Sequence, residues 1–517
     1  MGLYFWGVDS PASKKDKSMN KVLKNTIAAF INEIITFIVG IIIPKLIISF
    51  YGSEINGLVN SITQFLGFIS LCELGIGAVI KANLYKPLAK KDTYELSAVL
   101  KSAQKFFRKI AYILVVYVGI LVIIYPEVVN SSFNNLFTAS LILIISISTF
   151  AQYYFGIIYQ LLLNANEQAY VQLYTNCSTL LISTIISVIL IYNGATIHVV
   201  KLVGALFFVT RPIIMKCYVD RHYNIDYRVR YKHEPIKQKW NGIAQHLATQ
   251  VQDSTDIAIL TLFANLSDVS IYSVYNMIVK GVMQLIYTVN AGVSARIGRQ
   301  IADADNVKLM KTFLSFEWAM HTASTMLFLV TGTMIIPFVA IYTQGVSDAN
   351  YIVPPFAIMI SICGALRCIQ LTYNIVIQAA GHFRQTQFAA ILEPFINICI
   401  SLLMVRRFGL IGVTFGTIVS LTYRAIYLIA YLRNNILKIN IKITIKQFLV
   451  DLLIVACVCI LRCFFTIEPN GFYSWILYAL VVFLVVSLIS LVINYIFYKN
   501  RVEIMLSKIF KGLKHDS

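Results

Sequence analysis

Apolar runs of about 20 residues or more, set apart by short polar connections, fill this sequence almost from end to end. A run of that length matches the hydrocarbon thickness of a bilayer. The composition agrees. Of the 517 residues 58% are hydrophobic and 13% charged, whereas a soluble domain carries about 25% charged residues. In lipid each segment must satisfy its own backbone N–H and C=O groups, so apolar runs this long fold as helices. The expectation is an all-α polytopic membrane protein with about 14 transmembrane helices and no soluble domain of any size. The expected spans are 24–50, 56–81, 106–125, 137–163, 169–192, 197–218, 241–264, 270–295, 313–343, 352–380, 386–405, 409–432, 446–465 and 473–498.

A formal net charge of +19 raises nucleic acid as a partner, but the placement of the charge argues against it. Lys and Arg gather at Lys81 to Lys109, Arg221 to Lys239, Arg296 to Lys311, Arg433 to Lys446 and Lys499 to Lys514. The alternate connections, near Glu54, Glu127, Asp268, Asp348 and Glu468, are short and mostly lack positive charge. That alternation is the positive-inside signature; it predicts both termini in the cytoplasm and an even number of spans. Arg406 and Arg407 are the exception, on the expected outer side. Membrane lipids with anionic headgroups then serve as counter-ions. The basic, amphipathic stretch 93–109 is expected to lie along the cytoplasmic interface.

A repeat at an offset of about 216 organises the chain. Asn25-Thr26-Ile27-Ala28 aligns with Asn241-Gly242-Ile243-Ala244, Asn60 with Asn276, and, with slight drift, Arg211 with Arg424. Six spans separate the copies, so both share one orientation, and the axis relating them runs along the membrane normal. The expected organisation is a cytoplasmic tail (1–20), an N-lobe of helices 1–6 (21–218), a cytoplasmic linker (219–239), a C-lobe of helices 7–12 (240–435), two further helices (436–499) and a basic tail (500–517). No signal-peptide cleavage site follows the first apolar stretch. Met19 is a second plausible start, with the preceding residues as an upstream extension.

No enzyme motif is present: no Gly-rich phosphate loop, no His-Glu-x-x-His and no Gly-x-Ser-x-Gly. The nine cysteines lie in or beside apolar segments without zinc-ligand spacing to His, and read as small hydrophobes. Neither a cofactor nor a metal is expected. Ionisable residues inside the spans carry the chemistry, since each costs roughly 2.5–3.5 kcal/mol at a helix centre and marks a polar interior. Asn276, Lys280, Gln284 and Tyr287 share one face of the eighth span; Arg367, Gln370, Asn374 and Gln378 share one face of the tenth. The seventh carries His246, Gln250 and Asp253 with Asp256 a turn on, and the ninth carries Glu317 and His321. Lys280, Arg367, Gln284, Asn374, Lys45, Arg211 and Arg424 are the candidate cavity residues, and Glu33, Asp253 and Asp256 the candidates for ion coupling. For Arg211, Arg424, Glu317 and Lys81, near the cytoplasmic ends, snorkelling to the interface is an equal alternative. Asp253 reads also as a structural counter-ion to Lys280 or Arg367. A partly cationic polar face favours an anionic substrate such as a diphosphate, and interleaved Tyr, Asn and Gln suit sugar rings.

The stretch Ile43-Pro44-Lys45-Leu46-Ile47-Ile48-Ser49-Phe50-Tyr51-Gly52-Ser53-Glu54-Ile55-Asn56-Gly57-Leu58 resembles the end of the first helix in the bacterial polysaccharide flippases. These are the O-antigen and capsule repeat-unit translocases of the multidrug/oligosaccharidyl-lipid/polysaccharide exporter superfamily. Glu73-Leu74-Gly75-Ile76-Gly77, closing the second helix before a basic loop, resembles that family's acidic-Leu-Gly motif. Pro44 is expected to kink its helix, and Gly75 and Gly77 to permit close helix approach. The resemblance implies two six-helix lobes plus a helix pair. It also implies a flippase that moves a polyprenyl-diphosphate-linked oligosaccharide across the bacterial inner membrane by alternating access. Its implied partners are that lipid-linked glycan, the polysaccharide polymerase and the chain-length machinery. The alternatives are a drug/cation antiporter or a peptidoglycan lipid-precursor flippase of the same superfamily, and less readily a membrane-embedded polysaccharide polymerase.

Overall fold

The computed structural model describes residues 11–73, 75–129, 132–231, 243–303, 305–464 and 469–515. Of the expected linker, 232–239 lie outside the described residues, as do 1–10, Leu74, Glu468 and the side chain of His246. The described secondary structure is helical. The chain divides into two compact units, one of residues 1–51 and 62–243, the other of residues 52–61 and 244–517.

Helix α1 (Pro11–Tyr51) runs unbroken past Pro44, and α2 (Ser53–Gly67) follows directly. The expected span 56–81 is not one helix. After α2 the chain tightens into a 3₁₀ segment, Phe68–Glu73, and then restarts as α3 (Ile76–Lys90). Gly75 sits at φ 68, so it serves the break rather than a close approach; a Cβ there would meet nothing within 4 Å. A Cβ at Gly77 would make only an ordinary contact, 3.6 Å from Leu161.

Helix α4 (Thr93–Val128) is capped by Asp92, whose side chain accepts from Glu95 N. It absorbs the stretch 93–109, which was expected along the interface. Leu96, Val99, Leu100, Ala103 and Phe107 are buried, so one face of this stretch packs on the unit, and it is continuous with the third span rather than a separate helix. The unit continues through α5 (Asn135–Ala151), a π-helical turn at Gln152–Gly156, α6 (Ile157–Ala165), α7 (Ala169–Tyr192) and α8 (Ile197–His222). The π turn lets Tyr153 reach Glu73, whose carboxylate accepts from its hydroxyl. Among the described residues five candidate spans lie wholly in the first unit, and a further one, Ser53–Glu73, has residues 53–61 in the second unit and the rest in the first; α7 and α8 begin at the expected residues.

The second unit holds α9 (Ile243–Phe263), α10 (Leu266–Ala302), α11 (Asn306–Tyr342), α12 (Pro354–Ala379), α13 (Phe383–Tyr431), α14 (Lys442–Arg462) and α15 (Phe472–His515). By length and apolarity 12 helices among the described residues qualify as spans. Two physical facts carry that number to 14. Helix α9 is long enough but is diluted by Gln250, Gln252, Asp253 and Asp256. Helix α13 is two helices: Gly409 at φ 51, ψ −126 turns the chain back on itself. The arms are antiparallel, because Ser401 Oγ donates to Val413 O (3.2 Å), Arg424 Nη1 to Thr386 O (3.1 Å), and His382 meets Tyr431 OH (2.9 Å). Exposed Arg406 and Arg407 lie just before that turn.

Spans three and four pack together in both units; α5 packs on α8, and α12 packs on α13, where Cys363 Sγ lies 3.9 Å from Thr414 O of the second arm. In each unit an arginine of the sixth span also donates to a threonine of the fifth. Arg211 Nε reaches Thr179 Oγ1 at 2.7 Å, as Arg424 reaches Thr386. Helices α14 and α15 pack on α11. Trp318 Nε1 donates to Asn494 Oδ1 at 2.7 Å and Trp475 Nε1 to Met334 O at 3.0 Å. Within this unit Gly57 of α2 lies against the start of α10, and a Cβ there would sit 1.7 Å from Leu266 O.

Candidate functional site

Three helices of the second unit bring their polar faces together. Lys280 stands near the middle of the α10 span Leu266–Asn290, and both it and Gln284, one turn on, are exposed. Across from them Arg367 of α12 donates to Asp253 of α9 in an ion pair. The Asp253 side chain is 45% exposed and that of Arg367 21%, so the pair is accessible rather than sealed in packing. Lys280 lies within electrostatic reach of Asp253, Arg367 and Asp256, and Tyr287 within reach of Arg367 and Asp253. Among the described residues Lys280 makes no hydrogen bond or ion pair. An ammonium exposed at mid-span faces either hydrocarbon, at a cost of several kcal/mol, or water. Its polar neighbours place it on the aqueous side. Half-buried Asn374 lies two turns along α12 from Arg367.

The pairing sorts the expected cations of this face into matched and unmatched ones. Arg367 is matched by Asp253. Arg424 is buried, with its Nε 3.8 Å from Glu393 Oε2, and does not present itself to a cavity. Asp256 is also buried, and its oxygens are taken up by Tyr272 OH (2.9 Å), Asn397 Nδ2 (3.1 Å) and Thr417 Oγ1 (2.8 and 2.9 Å). It ties α9 to α10 and to both arms of α13, and leaves no open oxygen for an incoming ion. The accessible charges of this face are then Lys280, Arg367 and Asp253, with Arg424, Glu393 and Asp256 enclosed behind them.

The remaining candidates belong to the first unit. Glu33 is exposed on α1 without a partner among the described residues, and Lys45 is half-buried on the same helix. Arg211, besides its bond to Thr179, stacks its guanidinium 3.8 Å from the centre of the Phe208 ring.

Two pairings escaped the sequence reading, which names Glu317 and His321 but neither Glu393 nor Asp451. Glu393 accepts from Gln370 Nε2 at 3.0 Å and faces Arg424. A lone acid within an apolar span was the signal for it, as it was for Asp451 of α14. The second is larger. Glu317 takes both carboxylate oxygens to Arg433 Nη2 at 2.6 Å, and accepts from Tyr373 OH and Thr444 Oγ1, each at 2.9 Å. Tyr373 OH also meets His321 Nε2 (2.9 Å), whose Nδ1 lies 2.7 Å from Asp451 Oδ2. Neither Glu317 nor Arg433 snorkels: their side chains are 3% and 0% exposed. Arg433, read as the start of a cytoplasmic cluster, instead folds inward from a π-helical turn at Leu432–Leu437. The network fastens α14 to α11 and α12.

No protein-family model matches the sequence, and no curated protein matches it. Solved structures do match. A lipid II flippase, MurJ, in an inward closed conformation is similar over 92% of this chain and 99% of its own, with TM-score 0.68 and 18% identity. A multidrug resistance MATE family transporter of the MOP superfamily, inward-facing, is similar over 78% and 96%, with TM-score 0.58 and 14% identity. A MOP superfamily transporter from Pyrococcus furiosus is similar over 82% and 97%, with TM-score 0.53 and 14% identity. The likeness is one of fold. In the first comparison it covers nearly the whole chain.

Proposed function

We propose that this protein is a flippase for a polyprenyl-diphosphate-linked oligosaccharide, an O-antigen or capsule repeat unit, in the bacterial inner membrane. The observation that carries the reading is Lys280. It is an unmatched, accessible cation at mid-span, beside the Arg367–Asp253 pair and in line with Gln284. A diphosphate is the ligand chemistry that such a cation recognises, with Gln284 and Tyr287 beside it for hydrogen bonds to sugar. The Arg367–Asp253 pair can exchange partners, the guanidinium turning to phosphate as the headgroup arrives. An inside-negative potential drives outward movement by roughly 2.3 kcal/mol per negative charge per 100 mV. The accessible charges, Lys280 and Arg367 against Asp253, carry no acidic excess, which argues against a drug/cation antiporter.

A second reading, a peptidoglycan lipid-precursor flippase, shares the diphosphate and is favoured by the fold likeness to the lipid II flippase. Complementation separates them. Expressed in a strain lacking its own repeat-unit flippase, the wild-type chain should restore surface polysaccharide; rescue of a lipid II flippase deletion instead would select the second reading. In either setting Lys280→Gln should lose most of the rescue while Lys280→Arg keeps part of it, with both proteins reaching the membrane. Full rescue by Lys280→Gln would sink the cation–diphosphate reading.

A further inference from the structure

The first unit carries a basic feature that takes no part in the stripe around Lys280. Along the beginning of α4, Lys101, Lys105, Arg108, Lys109 and Tyr112 fall at i, i+4, i+7, i+8 and i+11, one face of the helix. The chain leaving α8 folds back onto this face. Lys101 Nζ donates to Val229 O at 2.7 Å, Tyr94 OH to Arg230 O at 3.0 Å, and Asp226 N to Ser97 Oγ at 3.0 Å. Between the helix and residues 229–231 lies an open groove of about 640 Å³. Five cations line it, Lys101, Lys105, Arg108, Lys109 and Arg230, and no carboxylate does so among the described residues.

Basic residues at the end of a span are commonly no more than a topology signal on a solvated face. Three features go beyond that. The cations converge on a concavity from two separate chain segments. Arg108 is held in place by stacking 4.9 Å from the centre of the Tyr154 ring. Its Nε is buried and has no hydrogen-bond partner among the described residues. With Nε enclosed, the guanidinium is fixed in place at the groove wall it lines.

The depth of the groove names the ligand. Between Lys109 and Glu127 the helix carries no charged residue. Those 17 residues span roughly 26 Å at 1.5 Å per residue, about the thickness of the hydrocarbon core. The cations therefore stand at the headgroup layer, with Tyr112 at the level favoured by interfacial aromatics. We propose that this groove binds the phosphate of an anionic membrane lipid. The proposal is independent of what the protein transports.

Native mass spectrometry of the detergent-purified full chain tests it, with phosphatidylglycerol and phosphatidylcholine titrated separately. The wild type should hold one phosphatidylglycerol tighter than phosphatidylcholine by tenfold or more, each cation near an anionic headgroup contributing roughly a factor of five. The triple variant Lys105→Gln/Lys109→Gln/Arg230→Gln removes exposed side chains only and keeps the fold. It should bring phosphatidylglycerol down to the phosphatidylcholine level. A control triple, Lys311→Gln/Arg406→Gln/Arg407→Gln, removes the same charge from exposed positions elsewhere and should retain the preference. Equal loss in both triples would reduce the effect to diffuse charge and overturn the site. Displacement of the lipid by millimolar inorganic pyrophosphate, or no preference in the wild type, would overturn the lipid as its ligand.

Discussion

Replacing Arg433 by Gln should destabilise the second unit far more than the loss of one surface charge. The guanidinium is 2.6 Å from both oxygens of Glu317, and neither side chain reaches solvent appreciably. At that distance and an effective dielectric constant of about 20, the attraction is roughly 6 kcal/mol. Desolvating two ions offsets much of it, and Arg433 Nε and Nη1 find no acceptor among the described residues, which lowers the net value further. The pair as a whole therefore contributes little, but breaking it strands a carboxylate, at a cost of roughly 3–5 kcal/mol. For a unit of this size that is a fall in melting temperature of roughly 5–8 °C. Glu317→Gln should do comparable damage by stranding the guanidinium. In the double variant Glu317→Gln/Arg433→Gln the amide oxygen at 317 still accepts from Tyr373 and Thr444, so much of the stability should return. Thermal unfolding of the detergent-purified proteins reads all three. If each single variant melts within about 2 °C of the wild type, or the double is as unstable as the two singles summed, the stranded-charge reasoning fails.

Gly57→Ala should lower membrane abundance, because its Cβ would lie 1.7 Å from the Leu266 carbonyl and a backbone must shift; overpacking of this kind costs roughly 1–3 kcal/mol, and wild-type abundance and melting would refute it. Topology is checked in a cysteine-free background with an impermeant thiol reagent: Ser267→Cys should label from outside and Lys90→Cys should not, and the reverse pattern would overturn the positive-inside assignment.

What the sequence determined by itself was the solvent and the secondary structure. Run length and charge poverty specify helices in lipid, and residues four apart share a helix face in any fold, so the stripes through Lys280 and Arg367 were legible before any packing was known. The missed break at Phe68–Glu73 has a local cause, since an apolar run reads the same whether its helix is continuous or interrupted. Pairing is another matter. Asp253 lies 114 positions from Arg367, Glu317 116 from Arg433, and His321 130 from Asp451. Nothing in helical periodicity says which charges will meet across such separations. Tertiary packing alone decided that Arg367 and Arg424 are matched, that Asp256 is enclosed by three donors, and that Glu317 and Arg433 hold α14 to the bundle. It also folded residues 226–231 onto the basic face of α4. Periodicity is fixed by the geometry of one helix, whereas the partner of a charge is fixed by which helix packs beside it.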